Sequence, residues 1–192
     1  TWLDGKTQKL NTVEANQLLQ LDHADAKDPT KTSIAKKEDA IFIEEPFPFS
    51  HVENDFNDFD IQLLLPHKLS QTGPAIAKAD LNGDGLEDIF LGASHNQSAQ
   101  LLMSNNEGEY VSKKVQDFVA DKAFEDVAAC FFDADNDGDK DLYVVSGSYE
   151  FTEDQNKLQD RLYINKGKGN FKRAHSKLPQ ISAAGAVVIA SD

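Results

Sequence analysis

Two acidic loops of one pattern stand 53 residues apart, Asp80-Leu81-Asn82-Gly83-Asp84-Gly85-Leu86-Glu87-Asp88 and Asp133-Ala134-Asp135-Asn136-Asp137-Gly138-Asp139-Lys140-Asp141. Each sits between short apolar runs, Ala75–Ala79 and Ile89–Ala93 in the first case, Val127–Phe132 and Leu142–Ser146 in the second. The runs after the loops are rich in β-branched and aromatic residues and predict strands, and those before them have a length that suits one, so each loop is expected to join two strands. Both units then continue alike. Gln100–Met103, a polar turn at Asn105–Gly108 and Tyr110-Val111 follow the first loop; Arg161–Asn165, a turn at Lys166–Asn170 and Phe171 follow the second. About four short strands per repeat is the content of one propeller blade.

The loop pattern D-x-[DN]-x-D-G-x-x-D places side-chain oxygens at positions 1, 3, 5 and 9, with glycine at position 6 for the sharp turn. Calcium is a hard cation that takes six to eight oxygens, and magnesium recruits fewer carboxylates and keeps more water. The pattern therefore predicts two calcium sites. In the first, the side chains of Asp80, Asn82, Asp84 and Asp88 and the backbone carbonyl of Leu86 are the expected ligands. In the second they are Asp133, Asp135, Asp137, the carbonyl of Asp139, and Asp141. An EF-hand loop starts the same way but needs a bidentate Glu at position 12 and flanking helices. Position 12 here is Leu91 or Val144, and the flanks read as strands.

The C-terminal run Gly185–Ser191 bears the same spacing to Asp192 that Gly73–Ala79 bears to Asp80, so a third loop is expected to start at Asp192. The loops, their strands and the Arg161–Asn165 and Gly169-Asn170-Phe171 segments resemble the FG-GAP/VCBS repeats of integrin-α-like β-propellers. The FG-GAP signature is approximated by Phe90-Leu91-Gly92-Ala93 and only loosely by Val145-Ser146-Gly147-Ser148. The resemblance implies an all-β fold of calcium-binding propeller blades: a fragment of about two blades, near residues 65–120 and 121–180, with a third starting near 181. It also implies an extracellular or cell-surface setting, the bacterial outer surface included.

Residues 1–22 are similar to the end of an ASPIC/UnbV segment. Asp4-Gly5 is a turn signal, and Gln17–Leu21 is expected as a strand. Residues 23–39, polar and with Asp28-Pro29, read as a linker, and the repeat region is expected over 40–192 with a strand near Ala40–Ile43. His51–Asp60, which interleaves acids with Phe56 and Phe59, is expected to staple aromatics onto the blades.

A net charge of −14 argues against nucleic acid, which needs clustered Lys and Arg. No apolar run is long enough to insert in a membrane. Cys130, the one cysteine, lies in an apolar run and reads as an inert core thiol. No catalytic motif is recognisable; the five histidines are scattered without metal-ligand spacing, and His95 reads as a solvated loop histidine. The expected function is a non-catalytic module that binds a protein or glycan partner in adhesion, with calcium as its structural cofactor. The alternative is the scaffold or substrate-binding part of a secreted carbohydrate-active enzyme.

Overall fold

The computed structural model describes residues 1–28, 47–151 and 154–191. It divides into two compact units, Thr1–Phe47 and Pro48–Asp192. The expected strand at Ala40–Ile43, most of the expected linker and Asp192 lie outside the described residues.

In the first unit the Asp4-Gly5 turn forms as expected. Trp2 donates to the Lys6 carbonyl at 2.8 Å, and Gly5 takes φ +87°, where a side chain is strained. A 3-10 turn at His23–Asp25 folds back on it, with His23 edge-on to Trp2 at 5.2 Å and 2.9 Å from the Asp4 carboxylate. A single bridge joins Thr7 to Lys27. The strand expected at Gln17–Leu21 does not form: the segment pairs with no neighbour in a sheet and leaves Leu18 97% exposed. Apolar residues alone do not make a strand without a ladder partner.

The second unit is built on eight strands: β1 (Ile76–Ala79), β2 (Asp88–Leu91), β3 (Gln100–Ser104), β4 (Tyr110–Lys113), β5 (Asp126–Phe132), β6 (Asp141–Ser146), β7 (Arg161–Asn165) and β8 (Phe171–Arg173). They form two antiparallel meanders, β1-β2-β3-β4 and β5-β6-β7-β8. The registers repeat. Ala79 pairs with Asp88 as Phe132 pairs with Asp141, Ile89 with Leu102 as Leu142 with Tyr163, and Ser104 with Tyr110 as Asn165 with Phe171. The sheets are thus two copies of one propeller-like blade, and the all-β expectation holds.

Between them runs the element that sequence did not announce, a five-residue helix α1 (Gln116–Ala120). Its Phe118 meets Phe90 of β2, Tyr163 of β7 and Phe171 of β8 at ring distances of 5.0–6.0 Å. Leu81, Leu101, Leu142 and Val144 complete this one core, drawn from both blades. Edge-to-face aromatic pairs add to the burial of large rings.

The first strands of the blades lie side by side. Asp126 donates its N–H to the Ala93 carbonyl at 3.0 Å, and Gly185 donates to Ser146 at the same distance. Ala93 and Ser146 each lie five residues past the aspartate that ends an acidic loop. Residues around Gly185 therefore dock on the second blade as β5 docks on the first.

The His51–Asp60 loop is pinned by a charge, which differs from the expected aromatic staple. Phe56 and Phe59 are half-buried, whereas Asp58 is fully enclosed and accepts from the backbone N–H groups of Leu69 and Ser70 and from the Ser70 hydroxyl. Those bonds hold its carboxyl below the usual range against the opposing effect of burial.

Candidate metal centre

Both acidic loops connect the first two strands of a blade. In each, position 6 takes a positive φ, +86° at Gly85 and +93° at Gly138, as the turn requires. Position 4 is also left-handed, with φ +78° at Gly83 and +63° at Asn136, two residue types that tolerate it. Each backbone thus curls around the aspartate at position 1.

Asp80 accepts from the N–H groups of Asn82, Gly83 and Asp84 on one oxygen and from Gly85 on the other, at 2.7–3.2 Å. Asp133 accepts from Asp137 at 3.2 Å and from Gly138 at 2.9 Å. These backbone bonds, led by Gly85 and Gly138, hold both carboxyls below the usual carboxylate range, so the two stay ionised.

Position 9 is the loop's other anchor. Asp88 and Asp141 are both 0% exposed. Asp88 accepts from Leu81 N–H at 3.0 Å and from Ser104 N–H at 2.9 Å. Asp141 accepts from Ala134 at 2.9 Å and from Asn165 at 2.8 Å. A fully enclosed carboxylate is costly unless its charge is compensated. Burial raises the Asp141 pKa above its usual value, and the charges of Asp135 and Asp137 add to the rise.

In the second loop, carboxylate oxygens of Asp133, Asp135 and Asp141 lie within 4.8 Å of one another. Among the described residues no other group of three acidic, His or Cys side chains meets that test. Asp137, expected as a side-chain ligand, stands outside this triad; it accepts from the Asp139 N–H at 3.0 Å and so helps to hold the turn. The first loop carries Asn82 where the second has Asp135, and its amide donates to Asp84 at 2.8 Å. That position of the first loop therefore offers an amide in place of a carboxylate. An all-oxygen donor set with a buried anion, and with the exposed Lys166 ammonium 3.6 Å from Asp135, fits a hard divalent cation.

The opposite end of the sheets holds a group that sequence reading did not find. Glu125, at the start of β5, accepts from the His95 N–H at 2.6 Å. His95 also lies 3.4 Å from Glu150 and packs edge-on against Phe151 at 5.0 Å. Its side chain is only 21% exposed, which corrects the expectation of a solvated histidine. Glu53 and Asn54 reach in from the preceding loop, Asn54 donating to Glu150 at 2.8 Å. Glu125 is pushed up to about 8, chiefly by burial; the His95 bond opposes the shift, while Glu150, Glu53 and Asp126 reinforce it. The segments that bring Glu53, His95, Glu125 and Glu150 together are 25 to 97 positions apart, so no local spacing announces them.

Beside it, the Arg161 guanidinium meets Asp126 at 2.5 Å and lies over the Phe124 ring at 4.4 Å. Burial works against its charge, but Asp126 keeps it ionised. Cys130 is half-buried, and burial pushes its thiol up, away from reactivity.

Four-stranded antiparallel blades sharing a core, each with an acidic loop between its first two strands, define a β-propeller-like repeat module. Residues 80–144 match the family model of the FG-GAP-like repeat, a stretch that opens on Asp80 and closes in β6 after both acidic loops. That stretch is an FG-GAP-like repeat. No curated protein matches it. The ASPIC/UnbV-like reading of residues 1–22 lies outside the matched residues.

Proposed function

We propose that this is a calcium-stabilised interaction module of the cell surface or extracellular space, engaging a protein or glycan partner in adhesion and without catalysis of its own. The observation that carries the metal is the convergence of Asp133, Asp135 and Asp141 around a fully buried carboxylate. The residues of the first loop would hold a second ion through Asp80, Asn82, Asp84 and Asp88, with the carbonyls of Leu86 and Asp139 as backbone ligands in their respective loops. Calcium there supplies charge compensation and rigidity. Lys and Arg are outnumbered 33 to 19 by acids, which disfavours nucleic acid as a partner. No helix among the described residues is long and apolar enough to cross a membrane.

A ligand that binds only the folded state raises its stability by about 2.7 kcal/mol at a hundredfold excess over Kd. For a chain of this size that is about 5–10 °C in Tm per site. Calorimetric melts of protein stripped by chelator and then refilled with calcium should differ by that order. Identical melts in both states overturn the metal reading. Incubation with a polysaccharide panel, read for retention and for new reducing ends, tests the absence of catalysis; new ends would point to the enzyme alternative.

A further inference from the structure

Asn165 touches both acidic loops. It closes β7 and is fully buried. Its backbone N–H donates to Asp141, position 9 of the second loop, at 2.8 Å. Its side-chain amide donates to the carbonyl of Leu81, position 2 of the first loop, at 3.2 Å. The amide oxygen accepts from Gly167 N–H at 3.1 Å, which fixes the side chain's orientation. Leu81 in turn donates its own N–H to Asp88, position 9 of the first loop.

The result is a chain of contacts through two residues: Asp88 to the Leu81 N–H, the Leu81 carbonyl to the Asn165 side-chain amide, and the Asn165 backbone N–H to Asp141. It joins the two buried carboxylates of loops that belong to different blades. The repeat shows that this is a particular of Asn165 and Leu81. Ser104 occupies the corresponding place in the first blade, and its N–H and hydroxyl both turn to Asp88 of its own loop. Ala134, the counterpart of Leu81, is exposed, whereas Leu81 is buried in the core that the blades share.

Resting on the calcium reading above, we infer that Asn165 is a positioning residue through which the two calcium sites are coupled, so that filling the second loop tightens the first. With Asp141 engaged the Asn165 backbone is fixed, and its side-chain amide then holds the Leu81 carbonyl and so positions the residue whose own N–H orients Asp88. A site whose groups are already ordered loses less entropy on binding. Coupling of this kind is reciprocal, so filling the first loop tightens the second by the same factor.

The test is isothermal titration of chelator-stripped protein with calcium, in a cycle of wild type, Asp135→Ala, Asn165→Ser and the double variant. Asp135→Ala disables the second loop. Asn165→Ser, the residue the chain itself uses at Ser104, keeps the backbone donor and removes the reach to Leu81. Disabling the second loop should weaken calcium at the first by about fivefold or more in the wild-type background. In the Asn165→Ser background the same change should move it by less than about twofold. First-loop affinity that is indifferent to Asp135→Ala, or equally sensitive to it in both backgrounds, overturns the coupling and leaves the calcium reading intact. No calcium binding by wild type overturns both.

Should Asn165→Ser fail to fold, the Leu81 amide resonance decides the matter with Asn165 in place. In Asp84→Ala protein, whose first loop is disabled, it should shift as calcium fills the second loop. A stationary resonance during that titration overturns the coupling.

Discussion

Gly92 and Gly185 hold opposite sides of one repeated contact. A Cβ on Gly92 would lie 2.6 Å from the Asp126 Cβ and 2.9 Å from that of Ala75. One repeat later Val145 takes the place of Gly92, Gly185 takes that of Asp126, and a Cβ on Gly185 would overlap Val145 Cγ1. The bulk has changed sides while the backbone spacing is kept. Gly185→Ala should therefore cost about 1–3 kcal/mol by overpacking. Adding Val145→Ala removes the clashing methyl, beyond which the Ser146 carbonyl oxygen and the Val145 Cβ both stand at 3.6 Å. Urea denaturation of the four-member cycle should show the pair coupled by about 1 kcal/mol or more; additive losses would refute the steric account. At this scale the loop acids were legible because their ligand pattern is local. Asn165, Glu125 and the Gly92 contact were not, since each acts on a residue more than thirty positions away.

At the scale of elements, the eight strands follow from apolar runs punctuated by turns, with Gly108, Gly167 and Gly169 in positive φ at the hairpins. Helix α1 escaped reading because it is short, has no side-chain cap, and is kept by the burial of Phe118 rather than by propensity. The strand start of β5 carries the pH dependence. Glu125 has an ordinary value of 4.5 and a folded value of about 8, so between these pH values the folded state holds a proton that the unfolded state has lost. Stability from this group is complete below about pH 4.5 and falls away as pH rises through about 8. Glu125→Gln keeps an acceptor for the His95 N–H and cannot ionise. Its Tm, followed from pH 6 to pH 9, should decline less than that of wild type, with the variant gaining on wild type at the alkaline end. Parallel profiles would show that Glu125 is not the titrating group.

For the second unit as a whole, the two blades are not separable bodies, because Phe118, Phe90, Tyr163 and Phe171 form one cluster across them. Repeat units of this size rely on their neighbours for burial. Phe118→Ala should cost about 3–5 kcal/mol and lower both blades together. Hydrogen exchange that loosened amides in only one sheet would contradict a shared core.

The matched registers have a further consequence for how such a chain can lengthen or shorten. Ala79 and Phe132 stand at the same rung, each opposite the aspartate that opens the next strand. A recombination joining Ala79 directly to Asp133 would delete one whole period, yet β1 would meet β6 in the alignment it now keeps with β2. The four rungs of β1 would match Asp141–Val144, and Leu81 would be exchanged for Ala134. Blade number is therefore a quantity that unequal crossing-over can change in single steps, at a seam that the acidic loops mark.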